Sequence, residues 1–205
     1  MIIPAILEKS FEEIEKKIEI TRQFSKKVHI DFIDGKFAKN TTFFDPSHFK
    51  KYSNDLDLEA HLMVDEPVQY LTPLSQAGFK RIIGHVEKMG DQVDFIAKAE
   101  VLGAVGLALD LETPISEIEV SYDDLDLILL MSVKAGESGQ IFDEGVVSKI
   151  KKLRSLYLGE IEMDGGINDK TLSLAKQAGA TTFCTTSFIF TDDPWGQFKK
   201  LVSLL

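Results

Sequence analysis

Two histidines and two aspartates close short apolar runs of this sequence, a set that could hold a divalent cation and move protons. His29 and Asp31 stand two apart in Val28-His29-Ile30-Asp31, so in a strand they project from one face. His61 closes Glu59-Ala60-His61-Leu62-Met63, and Asp164 closes Glu160-Ile161-Glu162-Met163-Asp164. Two imidazoles and two carboxylates suit a borderline ion such as Zn, Fe, Mn or Co. Their shared position at run ends favours a joint role over four separate structural ones, because charged groups in a core are costly unless paired or metal-bound.

A second constellation could hold an anion. Gly165-Gly166-Ile167-Asn168 leads from one run into a helical segment, and Thr185-Thr186-Ser187 follows the last run. Glycine lets a backbone approach a phosphate closely, and helix N-termini favour negative charge. Gly136-Glu137-Ser138-Gly139 reads either as a mobile lid or as a plain loop. His85, in Gly84-His85-Val86-Glu87, either lines the same mouth or is structural, and Asp110 stands on the same footing. His48 reads as a solvated residue of a short helix, Cys184 as core filler and Trp195 as a packing residue. Lys149-Ile150-Lys151-Lys152 and Lys199-Lys200 read as exposed helix faces.

These residues meet only if the elements carrying them converge. Apolar, β-rich runs fall at 2–6, 27–33, 57–63, 80–86, 104–109, 125–133, 159–163 and 181–185. Segments of helical period lie between them: Phe11 to Ile18, Pro67 to Gln76, Gln92 to Leu102, Glu144 to Leu156, Asp169 to Ala178 and Pro194 to Leu204. Leu127-Ile128-Leu129-Leu130-Met131 is apolar throughout, as in parallel strands buried on both faces. Eight strand–helix units predict an α/β fold, a single (β/α)8 TIM barrel, with short helices after the second and fifth strands. In such a barrel the strand ends form the site, and the loops after strands seven and eight commonly bind phosphate. An open doubly wound sheet is the rival, but no Gly-x-Gly-x-x-Gly follows the first strand.

Composition narrows the partners. The 205 residues are 44% hydrophobic and 27% charged, enough for a core, and no linker divides them, so 1–205 reads as one catalytic domain. A net charge of −10 disfavours nucleic acid and anionic lipid, and no apolar run is long enough to span a membrane. The lone Cys184 and the absence of a signal-peptide pattern predict a reducing, cytoplasmic setting.

Over nearly its whole length the chain resembles the ribulose-phosphate 3-epimerases. The matching segments include His29-Ile30-Asp31-Phe32-Ile33-Asp34-Gly35-x-Phe37, Asn40-x-Thr42-Phe43, His61-Leu62-Met63-Val64, His85-Val86-Glu87, Met131-Ser132-Val133 and Asp164-Gly165-Gly166-Ile167. The resemblance implies a metal held by His29, Asp31, His61 and Asp164, with Asp31 and Asp164 as the acid/base pair. It also implies that His61, Gly136, Gly139, Gly165, Gly166 and Ser187 contact a small sugar phosphate, and that the chain forms a homo-oligomer. The implied reaction inverts C3 of ribulose 5-phosphate through an enediolate, giving xylulose 5-phosphate.

The departures from the family cluster around the substrate. Ala5 replaces a serine, Glu137 and Ser138 stand in a loop the family fills with glycine-rich sequence, and Thr186 replaces a glycine. These changes keep rivals open: an epimerase of another ketose phosphate such as allulose 6-phosphate, a sugar-phosphate decarboxylase, or a silent relative that binds a phosphorylated ligand.

Overall fold

The computed structural model describes residues 1–205. Strands β1 (Ile2–Ile6), β2 (Lys27–Ile33), β3 (Asp57–Met63), β4 (Phe79–His85), β5 (Ala104–Leu109), β6 (Leu127–Met131), β7 (Glu160–Asp164) and β8 (Thr182–Thr185) pair in parallel and in chain order. The ladder closes between β8 and β1, giving the expected (β/α)8 barrel. No helix is long and apolar enough to cross a membrane.

Helices α1 (Phe11–Thr21), α2 (Leu71–Ala77), α3 (Gln92–Ala99), α4 (Val146–Arg154), α5 (Thr171–Ala178) and α6 (Pro194–Val202) cover the outside. Several begin where a side-chain oxygen can accept an otherwise orphaned amide. Ser10 accepts from Glu13 N, Asp91 from Asp94 N and Asp193 from Gly196 N. The connections after β2 and β5 hold only 3-10 turns, at Pro46–Tyr52, Ile115–Glu117 and Tyr122–Asp124. The helical segment expected from Pro67 divides into a 3-10 turn at Pro67–Tyr70 and then α2. Pro73 has no N–H to donate one turn back, so it is tolerated only in the first turn of a new helix.

Two cores follow from the two faces of the sheet. The larger lies between strands and helices and includes Phe32, Phe49, Phe79 and Phe95. The smaller fills one side of the barrel interior with Ile83, Ala108, Leu129 and Met131. The other side of the interior, on β2, β3, β4 and β7, is charged. Register explains the pairing there, for His29 sits beside Glu59, Glu59 beside Arg81, and Asp31 beside His61.

Candidate active site

His29 and Asp31 stand within β2 and His61 within β3, while Asp164 closes β7. Thr42 fixes the end of β2, its hydroxyl donating to Asp31 O at 2.9 Å and accepting from Ile33 N at 2.9 Å. Ser132 fixes the end of β7, its Oγ lying against the carbonyls of Asp164 and Gly165. The strand ends are thereby held before any ligand arrives.

The structure brings His29, Asp31, His61 and Asp164 together, all buried, with one ligand atom from each within 4.8 Å of the others. His61 Nδ1 lies 2.8 Å from Asp31 Oδ1 and 3.6 Å from Asp164 Oδ2. His29 Nε2 lies 3.3 Å from Asp31 Oδ1 yet makes no hydrogen bond, a buried polar atom without a partner. Its other nitrogen, Nδ1, lies 2.6 Å from Glu59 Oε1, which places a proton on Nδ1 and, in the neutral ring that a metal would bind, leaves the lone pair on Nε2. An orphaned imidazole lone pair aimed among carboxylate oxygens fits a divalent cation, and these donor types are those of Zn, Fe, Mn and Co.

The two aspartates stand in environments that separate their proton affinities. Burial alone would raise Asp31, but the neighbouring imidazoles of His29 and His61 hold it well below the usual carboxylate range. Burial and the charge of Asp31 raise Asp164 above its ordinary value. The two carboxyl groups of one site are thereby shifted in opposite directions, the separation that a base and an acid require.

Beneath this cluster lies a charged floor that sequence reasoning missed. Glu59, Glu162 and Cys184 surround His29 Nδ1, with Glu162 Oε1 at 3.4 Å and Cys184 Sγ at 3.3 Å. Burial and the charge of Glu59 push Glu162 up to about 7. Arg81 reaches across from β4 and binds both oxygens of Glu160 on β7, at 2.9 and 3.1 Å. Cys184 is thus not simple core filler: it shares a polar cluster and donates to Glu162 Oε1 at 3.1 Å. Burial raises its thiol well above the ordinary value, which makes it a poor nucleophile.

A cleft opens above Asp31 and Asp164, lined also by Gly136, Gly139, Gly165, Gly166 and Ser187. Gly165 and Gly166 have φ of 99° and 60°, backbone that side chains rarely adopt. A Cβ on Gly166 would come within 2.6 Å of Phe142 N. Gly166→Ala is therefore expected to cost about 1–3 kcal/mol in stability, read by urea denaturation. The Gly166 and Ser187 amides donate to no acceptor in the chain, so both are free for an anion.

Thr186 also lines the cleft and has no positive φ, since Glu66 is the only non-glycine residue that does. The β-branched residue is accommodated without strain. Ala5 is buried with Ile3 and Cys184 and does not line the cleft. Glu137 does line it. Asn40 Nδ2 donates to Gly136 O at 3.0 Å, tying the loop after β2 to the loop after β6.

His85 is fully buried against His61, and Asp110 caps its own loop by accepting from Leu111 N and Ala135 N. His48 is exposed beside Asp45. Lys149 departs from expectation: it is half-buried and donates to the carbonyls of Asp110 and Leu111 at 2.7 and 2.8 Å. Trp195 remains 50% exposed, its ring stacked on Phe198, tilted against Phe24 and covered by the Lys199 ammonium.

Comparison with known proteins places the chain in a family. The Ribulose-phosphate 3 epimerase family matches residues 1–190. A ribulose-phosphate 3-epimerase of Bacillus subtilis is 32% identical over 199 residues, covering 92% of this chain and 91% of that protein. One of Schizosaccharomyces pombe is 32% identical over 197 residues, covering 92% and 86%. Among solved structures, 3-keto-L-gulonate-6-phosphate decarboxylase of Vibrio cholerae superposes with a TM-score of 0.74 at 12% identity, covering 100% of this chain and 96% of that one. Orotidine 5'-phosphate decarboxylase of Pyrococcus horikoshii gives 0.72 at 16% identity, covering 100% and 98%. These two likenesses bear on the fold alone.

Proposed function

The chain belongs to the ribulose-phosphate 3-epimerase family and is an isomerase acting on carbohydrates, and from that premise we propose that it interconverts D-ribulose 5-phosphate and D-xylulose 5-phosphate by two-base proton transfer at C3. The observation that carries this reading is the pair Asp31 and Asp164, buried in one cluster with opposed proton affinities. His29, Asp31, His61 and Asp164 would hold one divalent cation, and residues 1–205 act as one catalytic domain.

Inverting a carbon beside a ketone requires that its hydrogen leave as a proton and that another arrive on the opposite face. A divalent cation bound here supplies electrophilic stabilisation of the charge that develops on the substrate. Asp31, held as a carboxylate, takes the C3 proton, and the C–H electron pair passes into the enediolate of the sugar. Asp164, whose burial beside Asp31 favours its protonated form, delivers a proton to C3 from the other side. The reverse reaction exchanges the two roles. Met63, Met131 and Val133 line the same cleft and keep water from the reacting carbon. The free Gly166 and Ser187 amides bind the phosphate from the loops after β7 and β8.

Glu137 opposes that phosphate. Glu137→Gln is expected to lower KM for the phosphorylated substrate by about 2–5-fold at low salt, with the gain shrinking as ionic strength rises. A KM unchanged at low salt would show that the carboxylate faces away from bound phosphate.

The direct test follows the C3 proton of ribulose 5-phosphate by NMR in deuterated water, with protein loaded separately with Fe(II), Mn(II), Zn(II) or Co(II). Metal-dependent loss of that signal with formation of xylulose 5-phosphate is the expected result. No exchange with any of these ions would overturn the substrate assignment. Turnover of allulose 6-phosphate under the same conditions would then reassign it.

A further inference from the structure

The imidazole that enters the cluster from β3 is itself held from behind. His61 Nε2 lies 3.0 Å from His85 Nε2, His85 Nδ1 lies 2.8 Å from Glu87 Oε2, and Glu87 Oε1 accepts from the Asp110 amide at 2.6 Å. Both histidines are fully buried, whereas the Glu87 side chain keeps 22% of its surface at the rim. We propose that His85 and Glu87 are positioning residues that set the tautomer of His61, so that its Nδ1 presents a lone pair to the metal position.

The assignment follows by passing donors and acceptors along the chain of contacts. A backbone amide can only donate, so Glu87 Oε1 accepts from Asp110. Burial would raise Glu87, but hydrogen bonds from His85 and the Asp110 amide bring it down to about 2, so it has no proton to offer. His85 must then carry its proton on Nδ1, and the neutral ring accepts at Nε2. His61 must donate from Nε2, which leaves Nδ1 bare and facing Asp31 Oδ1 at 2.8 Å. Two acceptors at that separation need a cation between them. Without the relay, the carboxylate of Asp31 would draw the His61 proton to Nδ1, where it would compete with the metal.

The surroundings keep the relay in place. The Phe37 ring packs against His85 at 4.6 Å. Lys149 anchors the loop that supplies the Asp110 amide by donating to the carbonyls of Asp110 and Leu111. His29, on the opposite side of the cluster, is set in the opposite tautomer by a different route, its Nδ1 donating to Glu59, so that Nε2 is the nitrogen turned toward Asp31.

This inference rests on the metal reading above, and one pair of variants separates the two. In Glu87→Gln the side chain keeps its shape but offers one oxygen and one NH2 group. The Asp110 amide claims the oxygen, the NH2 faces His85 Nδ1, and both rings must reverse their tautomers. Glu87→Leu removes the acceptor without adding a donor. In the purified full-length protein, Glu87→Gln is expected to weaken Zn(II) and Co(II) binding by about 10–100-fold. Glu87→Leu is expected to weaken it less, although leucine is the harsher substitution for packing. Nitrogen-15 NMR of the metal-free protein, at a pH of about 9, is expected to show His61 protonated on Nε2 in the wild type and on Nδ1 in Glu87→Gln. Metal affinity in Glu87→Gln within twofold of wild type would overturn the relay, as would a wild-type His61 protonated on Nδ1. A wild-type protein that binds none of these ions would instead overturn the metal reading on which the relay rests.

Discussion

Asp164→Asn is expected to lower kcat for epimerisation by about 10²–10⁴-fold while leaving the barrel folded. The amide is nearly isosteric with the carboxyl group, and its oxygen can still accept the Gly165 amide, which now donates to Asp164 Oδ1 at 2.8 Å. What the variant cannot do is hold a proton and release it. Asp31 keeps its place beside the two histidines and remains a base. The substrate's C3 hydrogen should therefore still exchange with deuterium from one face, while the opposite configuration fails to accumulate. Exchange without inversion would assign the two faces to the two aspartates. Wild-type turnover by metal-loaded Asp164→Asn would remove Asp164 from proton transfer. Loss of exchange together with loss of bound metal would show that the substitution acted through the ligand set, so metal content must be measured on the same sample.

The parts of this site that were legible in the sequence are those where one rule sufficed. A spacing of two placed His29 and Asp31 on one face, and the apolar runs located every strand within a few residues. Capping side chains such as Ser10, Asp91 and Asp193 mark helix starts because an amide must find an acceptor somewhere. The charged floor obeys the same spacing: Glu59 stands two before His61, and Glu162 two before Asp164. It was overlooked because interiors are expected to be apolar, an expectation that the Leu129 and Met131 side of the barrel meets and the Glu59 and Glu162 side does not. Arg81 gave no signal, since Phe79-Lys80-Arg81 reads as an exposed strand start. Its partners lie on β3 and β7, and only closure of the barrel brings them within reach. The side chain of His85 was ambiguous for the same reason, because its meaning depends on which ring nitrogen meets His61.

Arg81→Met is expected to destabilise the protein by about 3–5 kcal/mol, read by urea or thermal denaturation. Arg81 is the cation of a part-buried set, with its Nη1 2.9 Å from Glu160, 3.2 Å from Glu59 and 3.6 Å from Glu162. Methionine fills much of the volume but leaves those carboxylates facing one another, and uncompensated buried charge costs more than the ion pairs contribute. Adding Glu160→Gln to the variant should recover part of the loss, because it removes one of the unpaired charges. Lysine is a poor replacement, since a point charge cannot bind both oxygens of Glu160 as the guanidinium does. The effect reaches the mouth of the barrel through Glu59, which bridges Arg81 and His29 Nδ1. Without Arg81, Glu59 is driven to take up a proton, and a protonated Glu59 no longer compels His29 to keep its proton on Nδ1. Nε2 then ceases to be a reliable lone pair, so folded Arg81→Met should bind metal more weakly than wild type. A loss below about 1 kcal/mol, with metal affinity unchanged, would mean that the floor carboxylates are neutralised by something other than Arg81.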